Sequence, residues 1–271
     1  SGDNIFVATD GGLSISTDDG TTFTNKTTVD GLGSNVVRGV FATSSSVYAA
    51  TDGGLSISAD GGSTFTNITT GLGSTTVYSV FVDGANVYAA TSGGLSISTN
   101  GGASFTNTTT GLGSNAVRGV FASGLNVYAA TDGGLSISLN GGTSFTNVTT
   151  VNGLGGNAIR GVVVVGSTIY AATSGGVSIS TNGGTSFSNT TSGLGDASVQ
   201  AIHVVGSSVF AGTAVGFSFS TNGGTSFTNR TTTSGLGSND VVGVFTFNST
   251  IYAATSGGLS ISTDDATTFT N

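Results

Sequence analysis

One phrase, written seven times end to end, constrains the fold of this chain more than anything else in it. A clean copy runs from Val127 to Asn147: V-Y-A-A-T-D-G-G-L-S-I-S-L-N-G-G-T-S-F-T-N. Val127 to Thr131 is apolar and suited to a strand, and Asp132-Gly133-Gly134 is a turn signal. Leu135, Ile137 and Leu139 alternate with Ser136 and Ser138, the two-residue period of a strand. Asn140-Gly141-Gly142 is a second turn, because Asn and Gly tolerate positive φ. The pattern predicts a further strand over Thr143 to Asn147, centred on Phe145. Another β-compatible segment lies between successive units, over Val36 to Phe41, Val77 to Val82, Ala116 to Phe121, Ala158 to Val163, Ser198 to Val204 and Asp240 to Phe245.

One aromatic position, Phe6, Tyr48, Tyr88, Tyr128, Tyr170, Phe210 and Tyr252, recurs at steps of 42, 40, 40, 42, 40 and 42 residues. A fixed period of roughly 40–45 residues with several strands per unit is the signature of a β-propeller. The expected fold is all-β, a seven-bladed propeller of four-stranded antiparallel blades. It forms a single domain over 1–271, with units near 5–46, 47–86, 87–126, 127–168, 169–208, 209–250 and 251–271. Links of hairpin length join strands within a blade. The longer link after Phe-Thr-Asn is expected to cross to the next sheet. Each blade then reads V-R-G-V-F, V-Y-A-A-T, G-L-S-I-S, T-S-F-T-N, the first strand along the axis and the last at the outer edge. Gly39, Ser79, Gly119, Gly161, Ala201 and Gly243 share one small position in the first strand, suited to close approach. Seven three-strand units and six linking strands give 27 strands, so blade one lacks its inner strand. The expectation is that further sequence once completed it. Two-residue insertions, Val29-Asp30, Val151-Asn152 and Thr233-Ser234, must sit in the links, since the strands keep their register.

Composition narrows the function. The chain carries 36% hydrophobic and 7% charged residues, so Ser, Thr, Asn and Gly supply the solvated surface. Its 47 glycines stand at fixed turn positions, unlike those of a flexible linker. There is no Cys, hence no disulfide, thiolate nucleophile or Cys metal site. A net charge of −8 argues against nucleic acid and anionic membranes as partners. No apolar run approaches the ~20 residues of a transmembrane helix. Ser1-Gly2 matches what tag cleavage leaves, so the start is expected to be an engineered boundary.

The end of each unit resembles the Asp-box, or BNR, repeat: Ser or Thr, any, Asp, any, Gly, any, Thr, then an aromatic. Ser16 to Phe23 and Ser58 to Phe65 fit throughout. The copies from Ser98, Ser138, Ser180 and Ser220 carry Asn for Asp and Ser for Thr, and the copy from Ser262 has Ala266 for Gly. The longer phrase is similar to the propellers of xyloglucanase-type glycosidases, sialidases and photosystem II assembly factors. The resemblance implies the propeller fold and a structural box away from any active site. In this reading Asp or Asn accepts hydrogen bonds from its own turn, and the aromatic packs between blades. Asp18-Asp19 and Asp264-Asp265 are too few oxygens for a hard cation, so no metal or other cofactor is expected.

Candidate site residues follow from position. Arg38, Arg118 and Arg160 share one place in the first strand, where Tyr78, Gln200 and Val242 stand elsewhere. Sialidases hold a carboxylate with three arginines beside a Tyr and Glu pair, and this chain has no Glu. A structural role on backbone carbonyls, or in lining a wet channel, is expected for them. The expected binding surface is a rim of Asn35, Asn115, Asn157, Asp196 and Asn239 with the three arginines below it. Glycosidase chemistry needs two opposed carboxylates. Asp10, Asp52 and Asp132 occupy equivalent turns, which reads as turn chemistry, and Asp30, Asp196 and Asp240 are the non-repeated acids. His203 is expected to be a packed or channel-facing residue, with no partner evident in the sequence. Asn25, Asn67, Asn107, Asn147, Asn189 and Asn229 form sequons in phase, pointing to strand-end chemistry, and Asn248 adds one more. The reading is a non-enzymatic, monomeric binding or scaffold propeller from a secreted or surface bacterial protein. It takes a protein or carbohydrate ligand, or is a designed repeat with none. The alternatives are a multivalent lectin and a glycosidase-like propeller.

Overall fold

The computed structural model describes residues 4–271, so Ser1-Gly2 lie outside the described residues. These residues form two compact units. One comprises the described part of Ser1–Ala129 with Ile137–Thr146, and the other Ala130–Ser136 with Asn147–Asn271. The division passes through the fourth of seven sheets.

The first sheet has three strands, Ile5–Thr9, Gly12–Ser16 and Thr24–Lys26. The second has four in chain order, Val37–Ala42, Val47–Thr51, Gly54–Ser58 and Thr66–Ile68. The third to sixth sheets repeat that plan, opening on Val77–Asp83, Val117–Ser123, Ile159–Val165 and Val199–Val205. The seventh has Val241–Phe247, Thr250–Thr255 and Gly258–Ser262. Its outer edge is a single bridge between Ile261 and Thr270, where the sequence predicts a strand. In the other sheets the ladder extends to the residue after the conserved-phase Asn, as in Leu95 with Thr108, and here Asn271 is the last residue.

The last strand begins one residue after the phenylalanine on which the pattern centres it, at Thr66 or Thr106. The reason is packing. Phe65 leaves its own ladder and joins Leu13 and Ile15 of the first sheet with Val37, Val47 and Ala49 of the second. Phe105 sits likewise among Tyr48, Leu55, Val77 and Val87, and Phe227 among Tyr170, Val177, Val199 and Val209. Burying such a ring stabilises by roughly 1.5–3 kcal/mol. The recurrent Tyr belongs to the same layers: Tyr88 is 1% exposed and Tyr170 6%.

The buried serine of G-L-S-I-S has a definite task. Ser96 Oγ donates to Asn107 Oδ1 (3.1 Å) and accepts from the Gly73 N–H (2.9 Å), while Asn107 Nδ2 donates to Gly93 O (3.0 Å). The same bonds recur around Ser56–Asn67, Ser178–Asn189, Ser218–Asn229 and Ser260–Asn271. One amide thus pins a hairpin turn, a strand and the incoming link, and it satisfies polar groups that burial would otherwise penalise.

The links cross between sheets as their length predicts. Gly71, at φ +82°, lies so close to the next sheet that a Cβ would overlap the Phe105 carbonyl. Each insertion builds one 3₁₀ turn, Thr28–Asp30, Thr150–Asn152 and Thr232–Ser234. The contact beyond it survives: the Phe65 N–H donates to Asp30 O (2.8 Å) as the Phe227 N–H donates to Ser192 O (2.9 Å) where no insertion exists.

Candidate functional site

The first strands do not run straight into their ladders. Register shifts fall between Val37 and Gly39, Val77 and Ser79, Ile159 and Gly161, Val199 and Ala201, and Val241 and Gly243. A bulge frees one residue from pairing and re-aims its side chain. That residue is Arg38, Tyr78, Arg160, Gln200 or Val242. Arg38 and Arg160 therefore stand at the mouth of the strand. Close packing beside the bulge requires the small neighbour. A Cβ on Gly39 would stand 3.3 Å from Tyr78 O.

In the first unit this row is continuous. The Arg38 guanidinium lies 5.6 Å from the Tyr78 ring centroid, and the Arg118 guanidinium lies 4.4 Å from it. A tyrosine between two cations is a favourable electrostatic stack. Arg38 Nε and Nη2 both donate to the Asp52 carboxylate, the latter at 2.8 Å. This bidentate pair pushes the Arg38 guanidinium further up from its ordinary value. The expectation of backbone carbonyls as the partners of Arg38 is thus corrected: a carboxylate from the neighbouring hairpin turn takes that role. In the second unit Arg160 is exposed, and Gln200 Nε2 donates to Asp240 Oδ1 (2.8 Å).

The predicted rim divides. Asn35 Oδ1 accepts from the Thr28 N–H (2.9 Å), Asn157 Oδ1 from Thr150 (2.9 Å) and Asn239 Oδ1 from Thr232 (2.8 Å). These three hold the 3₁₀ turns of the insertions and are structural. Asp196 takes the place of Ser34 and Ser74: its Oδ1 accepts from the Ser198 N–H at 2.7 Å, as their hydroxyls do from Val36 and Thr76. Asn115, on a link without insertion, is exposed. Of the other acids, Asp30 closes a capping box on Thr27, whose N–H donates to it and holds its carboxyl below the usual range. His203 has a partner that its surroundings in sequence do not announce. Its Nε2 lies 3.1 Å from Thr246 Oγ1 and its ring 4.9 Å from Phe245, and burial pushes its pKa down.

The box turns bear out their structural reading. Asp60 Oδ1 accepts from Ser58 Oγ (2.6 Å) and the Thr64 N–H (3.0 Å), and Oδ2 from Thr64 Oγ1 (2.6 Å). Where Asn replaces Asp, the amide reverses one bond: Asn100 Nδ2 donates to Ser104 Oγ (2.9 Å). Asp18 and Asp264 spend their carboxylates in the same way, on Thr22 and Thr268. Among the described residues no group of three His or Asp side chains is placed to hold a metal ion.

No protein-family model matches the chain, and no curated protein does. Solved structures do. An extracellular domain from B. thetaiotaomicron, BT4673, matches with a TM-score of 0.79 at 17% identity over 96% of this chain, which spans 36% of that one. YCF48 bound to D1 peptide matches with a TM-score of 0.68 at 15% identity, over 94% of this chain and 86% of that one. The GH74 enzyme of Niastella koreensis matches with a TM-score of 0.63 at 23% identity, over 96% and 43%. These neighbours are seven-bladed β-propellers. The chain is a seven-bladed β-propeller. At such identities the likeness carries the fold alone, and the chain spans about a third of the length of BT4673. In this propeller the stacked row Arg38, Tyr78 and Arg118 belongs to blades two, three and four, and blade one has three strands.

Proposed function

We propose that this propeller is a non-catalytic, monomeric binding module of a secreted or surface protein, which reads an extended peptide through the bulge row. The observation that carries this is the Arg38–Tyr78–Arg118 stack. Three of the five basic residues occupy one repeat position. A peptide offers carboxylates and carbonyls to the guanidinium edges, and planar groups to the tyrosine. Neighbours of the same fold support the reading, since YCF48 is bound to a peptide and BT4673 is an extracellular domain.

Four of the recurrent tyrosines, Tyr48, Tyr88, Tyr128 and Tyr170, which a repeated sugar pocket would need at the surface, are buried, and this favours a peptide over a glycan. Three acids near the row are engaged with neighbours: Asp52 with Arg38, Asp196 with Ser198 and Asp240 with Gln200. This favours binding over glycoside hydrolysis, which needs one protonated and one free carboxyl. The test is a displayed-peptide selection on the full chain beside a glycan array. Enriched peptides that lose about tenfold or more in affinity to Tyr78→Ala, with Tm unchanged, are the expected result. Selective binding to one sugar class, indifferent to Tyr78→Ala, would replace this reading with a lectin.

A further inference from the structure

At the outer ends of blades one and six, the residue closing the last strand reaches the box turn of the next blade. In blade one it is Lys26, whose Nζ donates to Ser63 O at 3.1 Å. In blade six it is Arg230, whose Nε donates to Ala266 O at 2.7 Å while its guanidinium lies 5.3 Å from the Phe219 ring centroid. At both joints a cation ends on a backbone carbonyl of the neighbouring turn, and Lys26 Nζ also pairs with Asp30 Oδ1 at 3.6 Å. Blade two carries Ile68 at this position, which offers no donor. Between blades two and three there is instead an open groove of about 460 Å³, lined by Ile57, Ile68, Asp60, Gly101, Gly102 and Ala103. The lining repeats parts of these joints, except that Asp30, an insertion residue, has no counterpart in blade two. Ile57 stands for Phe219, Asp60 for Asp18, and Gly102 and Ala103 for the carbonyl-bearing Ala266 and Ser63.

We propose that this groove receives the alkyl-ammonium side chain of a lysine from a partner protein. The stem lies against Ile57 and Ile68. The ammonium donates to the Gly102 or Ala103 carbonyl and faces the negatively charged Asp60 carboxylate, which also accepts from Ser58 Oγ, the Thr64 N–H and Thr64 Oγ1. The chain's own Lys26 shows the chemistry that the joint accepts, and a net charge of −8 draws a cation toward it. The groove lies at the end of Gly54–Ser58 opposite to Asp52 and the bulge row, so the two readings stand or fall separately.

The test uses the full chain and an acetylated, amidated Gly-Lys-Gly tripeptide, with its norleucine analogue as the uncharged control. The readout is the backbone amide shifts of Gly101, Gly102 and Ala103 in a nitrogen-15 spectrum. The lysine peptide is expected to move them saturably and the norleucine peptide to leave them in place. Ile68→Lys fills the groove from within, as Lys26 does in blade one, and is expected to abolish the response while the rest of the spectrum stays folded. Asp60→Asn keeps the turn, as Asn100 does, and is expected to weaken binding about threefold. No shift with lysine at millimolar concentration, equal shifts with norleucine, or an undiminished response in Ile68→Lys would each overturn the proposal.

Discussion

Asn107 illustrates how much of this chain is decided by single side chains. Its amide carries a donor and an acceptor, and the structure uses both, on Gly93 and Ser96. Replacing it by Ala leaves a carbonyl and a buried hydroxyl unpaired. The expected cost is about 1–3 kcal/mol, read as a shift in the denaturation midpoint. Asn107→Asp has the same shape but no donor at neutral pH, and should lose most of that amount. A loss confined to the Ala variant would show that shape, and not the donor, is what matters. The in-phase asparagines were legible in the sequence as strand-end chemistry, because they recur at one offset from the turn. Asn35, Asn157 and Asn239 were not legible as structural, since each reaches back seven residues to a turn that only the fold closes.

At the scale of the element, the strands and tight turns could be read directly. A two-residue alternation bounded by Gly pairs has few other solutions. The bulges could not. Nothing before Gly39 or Ser79 marks them, and the register shift arises where the first strand leaves its link and meets a neighbour already in place. Arg38 stands in the expected strand, with a carboxylate as partner where backbone carbonyls were expected. The insertions are the converse case. Their location followed from constant strand register, and the 3₁₀ turn adds to the surface without disturbing the joint to Phe65. Deleting Val29-Asp30 should thus leave all sheets intact and change stability by less than about 1 kcal/mol, since loop length enters only logarithmically. Chemical denaturation would check this. Loss of cooperative folding would mean that the turn itself holds the joint.

For the molecule as a whole, acid is the informative perturbation. Hydrogen bonds from Thr and Ser hold Asp18 and Asp60 below the ordinary carboxylate range and bring Asp264 down to about 2. A carboxyl whose folded pKa is depressed favours the folded state above the unfolded pKa near 3.8, and that contribution is lost as pH falls through the folded value. Stability should therefore be flat above about pH 5 and fall as the solution is taken toward pH 2. The triple variant Asp18→Asn, Asp60→Asn, Asp264→Asn keeps the turns in the form that Asn100 and Asn140 already show, and should flatten the decline in a Tm-against-pH series. An unchanged slope would place the acid sensitivity elsewhere.

The box turns have one more consequence, for how the protein ages. Asn100-Gly101, Asn140-Gly141 and Asn222-Gly223 are three of the five Asn-Gly dipeptides, the pair most prone to lose ammonia because an unhindered glycine nitrogen can attack the side-chain carbonyl carbon. Here each glycine N–H is held by a carbonyl from the neighbouring hairpin, Ala85 O (2.9 Å), Leu125 O (2.8 Å) and Ser207 O (2.9 Å). Each asparagine Oδ1 is held by a serine of its own turn. Neither partner can rotate into the cyclic imide while the turn stands. Mass spectrometry after prolonged warm storage should find these three sites intact in folded protein and converted in the same chain held unfolded, so that the turn which shapes each blade also acts as its preservative.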